Sequence, residues 1–195
     1  KAIAGGGPLI DLLHMIDLAL WFMNYPEPEY VLAQTFSDFI DNPEFQGAWG
    51  KTVSLHGTTD VESACHGFVR FKTGQVLTLH NSWAELVRGE DTYVALQGTE
   101  TGVWIRSINN NNTCELYSQK KGVSDDKNLR FKNDDDMGRT RMPENFIRAL
   151  RGEAAPLSVP SEAVKLMRLI DAVYLSASSG KPVRIESDGR IEPLI

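Results

Sequence analysis

Residues Gly5 to Met23, GGGPLIDLLHMIDLALWFM, constrain the fold more than any other stretch of the chain. Three glycines lead into an apolar run that only Asp11, His14 and Asp17 interrupt. Such a run is compatible with a buried strand or a buried helix, and its length arbitrates. Pro8 to Met23 is long for a strand and ordinary for a helix, and Pro8 suits a first helical position, where its missing N–H is not needed. A helix apolar all round is expected to be buried against a sheet and against a second surface. At about 100° per residue, Asp11, His14 and Asp17 share one sector of that helix. Two carboxylates and an imidazole on a greasy face are costly unless they are paired or face a wet cleft. They are therefore the first candidates for chemistry. The plainer reading makes His14 a satisfied structural residue, and composition leaves both open.

The chain has 195 residues, 42% of them hydrophobic and 24% charged, which is the balance of a globular protein with a real core. A net charge of −6 argues against a nucleic-acid or anionic-membrane surface. No apolar run approaches a transmembrane span, because the one long run carries Asp, His and Asp. Cys65 and Cys114 form neither a metal spacing nor a disulfide framework, so the cytoplasm is the expected compartment. The chain does not begin with Met and reaches its first helix almost at once, as expected of one domain of a longer protein.

After Asn24–Glu29, a turn, Tyr30–Asp38 alternates as a strand, and Phe39–Thr59 reads as a long loop in which Trp49 and His56 stand out. Asp60–Lys72, the tight turn Thr73-Gly74 and Gln75–Ala84 make a hairpin. In its second strand Val76, Thr78, His80 and Ser82 share one face, and Leu77, Leu79, Asn81 and Trp83 the other. Thr92–Gln97, Val103–Ile108 and Glu115–Gln119 are further strands, with the asparagines Asn109–Asn112 as a turn. Lys120–Gly138 is highly charged. Its Asp134, Asp135 and Asp136 lack the ligand alternation of a calcium loop and read as a solvated loop. Two helices follow, Pro143–Arg151 and Pro160–Ser179. The second is expected to be capped by Ser161, stopped at Gly180, and buried along Val164, Met167, Ile170, Val173 and Tyr174. Lys181–Ile185 is expected either to add a last edge strand or to run along the surface. Helix, then five or six hairpin-joined strands, then two helices predicts one α+β domain over residues 1–195, a predominantly antiparallel sheet with helices packed on one face.

The segment GGGPLIDLLHMIDLALWF resembles the start of the second domain in the glucose–fructose oxidoreductase and inositol dehydrogenase (Gfo/Idh/MocA) family. The hairpin DVESACHGFVRFKTGQVLTLHNSWA and the final helix PSEAVKLMRLIDAVYLSASSGKPV resemble later parts of the same domain. The resemblance implies the substrate-binding half of an NAD(P)-dependent oxidoreductase acting on a sugar, polyol or related hydroxy or keto compound. Its cofactor, NAD or NADP, would be held mainly by a preceding Rossmann domain. His14 matches the family's active-site histidine, a general acid/base on the substrate hydroxyl, and Asp11 matches the carboxylate before it, which holds the substrate or the imidazole. Asp17 and His80 are candidate substrate contacts, with a structural role open for Asp17 and a packing role for His56, His66 and His80. Asp11 and His14 are three residues apart where the family pattern has four, although either spacing keeps the pair on one helical face.

Nothing in the chain is a dinucleotide fingerprint, since Gly5-Gly6-Gly7 lacks the G-x-G-x-x-G pattern between strand and helix. Without its preceding domain the chain is expected to be inactive. Two other classes stay in view: a non-catalytic sheet module that binds or assembles as a homo-dimer or tetramer, and a metal-dependent hydrolase or isomerase built on Asp11, His14 and Asp17.

Overall fold

A computed structural model describes residues 5–40, 42–45, 47, 59–108, 111–129 and 139–194. The apolar entry run is helical but not continuous. α1 (Pro8–Asp11) ends at Leu12, whose φ of −94° and ψ of 14° interrupt the helix, and α2 (Leu13–Phe22) resumes at once. Nor is it buried all round: Leu9, Ile16, Ala19 and Leu20 enter the core, while Trp21 and Phe22 stay exposed.

The strands form two antiparallel sheets in place of the single one expected. The first has the order β10–β9–β1–β2–β3, from β1 (Pro28–Phe36), β2 (Ala64–Phe71), β3 (Val76–Ser82), β9 (Val183–Ile185) and β10 (Ile191–Pro193). The second runs β4–β5–β6–β7, from β4 (Asp91–Gln97), β5 (Thr101–Ile108), β6 (Asn111–Lys120) and β7 (Val123–Ser124), with β8 (Lys127–Leu129) also paired to β6. Asn111 and Asn112 belong to β6, where Ile108 and Ser107 pair with them, and are no part of a turn. The charged stretch after Lys120 contributes β7 and β8, while Asp134–Asp136, Trp49 and His56 lie outside the described residues.

α4 (Pro160–Ser179) lies across β1, β9 and β10, and α1 lies against β2 and β3, so the helices cover one face of the first sheet. Val31, Val69, Phe71, Leu79 and Val183 on that face meet Leu9, Leu169, Ile170 and Val173 from the helices. Residues one step along each strand point away: Leu32, Phe68 and Val76 stay at least two-fifths exposed. α3 (Arg141–Leu150) buries none of its side chains among the described residues.

The cap of α4 is Val159, not Ser161: its N–H donates to Glu162 Oε2 at 3.0 Å from inside the first turn. Gly180 closes the helix at φ 65°, a left-handed geometry glycine adopts without strain. The buried stripe is Leu166, Leu169, Ile170, Ala172, Val173 and Ser176; Val164 and Met167, expected inside, are exposed.

Two buried polar groups lock the layers. Glu62, 7% exposed, accepts the Leu9 N–H at 3.1 Å and the Tyr174 hydroxyl at 3.0 Å, tying α1 and α4 to the entry of β2. Gly7 makes this possible, because a Cβ there would sit 2.4 Å from the Glu62 carbonyl oxygen. Ser176, wholly buried, accepts the Ala33 N–H at 2.9 Å and donates to the Lys181 carbonyl at 2.7 Å. β9 pairs with β1 only at Tyr30 and Val31, so Ser176 supplies the acceptor that the sheet does not. Ser176→Ala is expected to cost about 1–3 kcal/mol, the price of an unmade buried hydrogen bond, read as a lower urea midpoint with an unchanged slope.

Candidate active site

A cleft of about 1610 Å³ opens between α1–α2 and β3 on one side and the second sheet on the other. Asp11, His14, His80 and Trp83 line it from the first side, and Tyr93 and Arg106 from the second. Of the three polar residues expected on one helical face, two reach the cleft. Asp17 does not line it; its carboxylate accepts the Tyr25 hydroxyl at 2.7 Å.

The break at Leu12 organises His14. The Met15 N–H turns to the Leu12 carbonyl at 3.0 Å, one residue short of the regular helical partner. The Asp11 carbonyl instead takes His14 Nδ1 at 3.1 Å. A carbonyl only accepts, so Nδ1 carries the proton and, in the neutral ring, Nε2 is left with a lone pair. That is the tautomer a general base needs. The helix is thus interrupted between Asp11 and His14.

The Asp11 side chain does not hold the imidazole. Its Oδ2 accepts Trp83 Nε1–H at 3.0 Å, which ties the end of α1 to the residue following β3. Trp83 was legible only as the next position on a strand, and its polar partner was not foreseen. His80 Nε2 meets Glu85 Oε1 at 2.7 Å on the face opposite Leu79 and Asn81, as the alternation requires.

Gly6 and Gly7 are packing residues, whereas a Cβ at Gly5 would meet nothing within 4 Å. A Cβ at Gly6 would lie 2.8 Å from the Ile10 side chain, and Gly7 is closed by Glu62. The Leu9 N–H that an anion would seek is already taken by the Glu62 carboxylate. The Leu9 N–H is therefore not free for the phosphates of a dinucleotide. Nor do Asp11, His14 and Asp17 fit a metal, since Trp83 and Tyr25 engage the two carboxylates in different places. Among the described residues no helix is long and apolar enough to cross a membrane.

The chain is thus an α+β domain with a helical entry and an open cleft beside it. The family model described as "Oxidoreductase family, C-terminal alpha/beta domain" matches residues 1–185, and the chain belongs to that family, as the entry motif implied. It is 27% identical over 191 residues to D-glucoside 3-dehydrogenase of Escherichia coli (strain K12), covering 95% of this chain and 50% of that protein. The chain thus spans about half the length of this curated relative. Its fold is similar to that of an oxidoreductase domain protein from Kribbella flavida (TM-score 0.75, 15% identity, covering 94% of this chain and 52% of that one). It is also similar to the WlbA dehydrogenase from Bordetella pertussis, solved in complex with NADH and UDP-GlcNAcA (TM-score 0.61, 18% identity, covering 93% and 46%).

The tyrosines that brace the site make it sensitive to alkali. Burial, with Asp17 beside Tyr25 and Glu62 beside Tyr174, raises both phenols well above their ordinary value of 10.0. Their stabilising contribution is complete below pH 10 and is lost as pH climbs above it, because only the unfolded chain then releases the protons readily. Urea titrations between pH 8 and pH 11 are expected to show this decline, made shallower by Tyr25→Phe and by Tyr174→Phe.

Proposed function

We propose that this chain is the substrate-binding half of an NAD(P)-dependent oxidoreductase that acts on a hydroxyl of a sugar or sugar derivative, and that His14 manages the proton. The observation that carries the reading is the 3.1 Å contact of His14 Nδ1 with the Asp11 carbonyl at the wall of an open cleft: a carbonyl only accepts, so Nδ1 donates and Nε2 is left as the acceptor of a neutral ring. In oxidation, Nε2 takes the proton of the substrate hydroxyl as the carbon gives up its hydride; in reduction, the same atom returns a proton to the carbonyl oxygen. The nicotinamide cofactor supplies the hydride chemistry when bound, and a domain outside this chain would hold its phosphates. Asp11, anchored by Trp83, keeps the carbonyl under His14 in place, and its second carboxylate oxygen is a candidate contact for a neighbouring substrate hydroxyl.

The size of the cleft supports the reading. About 1610 Å³ exceeds the roughly 300–1,000 Å³ of a finished small-molecule pocket, as expected of a site whose remaining wall belongs to another domain. The D-glucoside 3-dehydrogenase relative favours a glycoside or related pyranose among hydroxyl substrates. His80 lines the same cleft and is kept as a peripheral substrate contact. The outward face of the first sheet, with Leu32, Phe36, Phe68 and Val76 exposed, is the surface by which copies would assemble. A cytoplasmic location goes with this chemistry.

His14→Ala in the full-length protein is expected to lower kcat by about 10²–10⁴-fold with a far smaller change in KM. Steady-state kinetics on a glycoside series, with cofactor reduction followed by absorbance, measures both. Turnover within threefold of the unaltered protein would remove His14 from the mechanism.

A further inference from the structure

We propose that His66, His80 and Glu85 form a binding site for one divalent transition-metal ion of the zinc class. His66 and His80 are register partners on adjacent antiparallel strands, so both imidazoles rise from the same face of the sheet. Their rings stack with centroids 4.4 Å apart. Glu85 reaches back from the segment after β3 and brings one carboxylate oxygen to both: Oε1 lies 2.7 Å from His80 Nε2 and 3.8 Å from His66 Nε2. The three donor atoms lie within 4.8 Å of one another, the only such trio of His, Cys, Asp or Glu among the described residues.

The chemistry of the donors selects the ion. Two imidazole nitrogens and one carboxylate oxygen suit zinc, cobalt, nickel or copper and do not suit magnesium or calcium, which take oxygen ligands. Bonds of about 2.0–2.2 Å to a tetrahedral ion place donors about 3.3 Å apart. The 2.7 and 3.8 Å separations bracket that value, so closing the site takes small side-chain rotations. Both histidine side chains are 50% exposed, which leaves a fourth position open to water. Binding replaces the proton that His80 Nε2 shares with Glu85 by the ion, the ring taking its Nδ1–H tautomer.

An ion there would staple the segment after β3 to the β2–β3 hairpin. That segment begins with Trp83, whose indole holds Asp11. The site does not include His14, and it stands whether or not that reading holds.

The test is calorimetric titration of Zn²⁺ into chelator-stripped full-length protein, with Mg²⁺ for comparison. The expected result is one Zn²⁺ bound per site, weakened at least about tenfold by each of His66→Asn, His80→Asn and Glu85→Gln, unaltered by His14→Ala, with no heat from Mg²⁺. In the unsubstituted protein the imidazole proton resonances of His66 and His80 are expected to shift on adding Zn²⁺, a reading independent of whether any variant folds. Absence of stoichiometric binding, binding indifferent to His66→Asn and His80→Asn, or resonances that do not move would each overturn the proposal. Zinc binding lost in His14→Ala and retained in His80→Asn would place the ion on the helical face and overturn it equally.

Discussion

The buried carboxylate of Glu62 is the constraint on which the rest of the architecture depends. It satisfies the N–H of Leu9 at the start of a four-residue helix and the hydroxyl of Tyr174 in the middle of the last long helix. A carboxylate this deeply buried is tolerable only when its oxygens are hydrogen-bonded, and here one oxygen serves two elements. A helix as short as α1 has no stability of its own, so its orientation is borrowed from this contact. Gly7 is the corresponding requirement on the backbone. Gly6 and Gly7 are then a fitting surface for Ile10 and Glu62.

From that anchor the candidate site is reached in short steps. α1 ends at Asp11, the helix lapses at Leu12, and the freed carbonyl receives the imidazole of His14. Trp83 fastens the same residue from the far end of β3. Asp11 therefore acts through both its backbone and its side chain. The carbonyl sets the tautomer and the carboxylate sets the position. In the second sheet, Arg106 pairs with Asp91 through its guanidinium, which lowers the Asp91 carboxyl and raises the guanidinium, and so presents a largely neutralised wall to the cleft.

Much of this was legible before the structure, and the physical reasons differ by element. The β2–β3 hairpin followed from period-two alternation around Thr73-Gly74, and α4 from Pro160 and Gly180 at its ends. Those signals are local. The break at Leu12 carried no local signal, because leucine is a good helix former and neither Gly nor Pro marks the place. Asparagine is a poor strand former, so Asn111 and Asn112 read as a turn until β5 supplied partners for them. β10 was missed because three residues carry too little pattern to register. His14 and Asp11 were legible through the family likeness; the partners that give them meaning, Trp83 and the Asp11 carbonyl, were not. Glu62, Tyr25 and Tyr174 are single polar residues whose partners lie far along the chain, and no periodicity reveals such a pairing.

That separation has a kinetic side. Leu9 and Glu62 are 53 residues apart, Asp11 and Trp83 are 72 apart, and Ala33 and Ser176 are 143 apart. Closing loops of these lengths carries an entropic cost that local contacts do not help to offset, so such ties form slowly and together. The hairpins can zip early on their own turns, but the seat of His14 is complete only once α1 has met Glu62 and Trp83 across the sheet. Assembly of the candidate site and completion of the fold are, for this chain, one cooperative event.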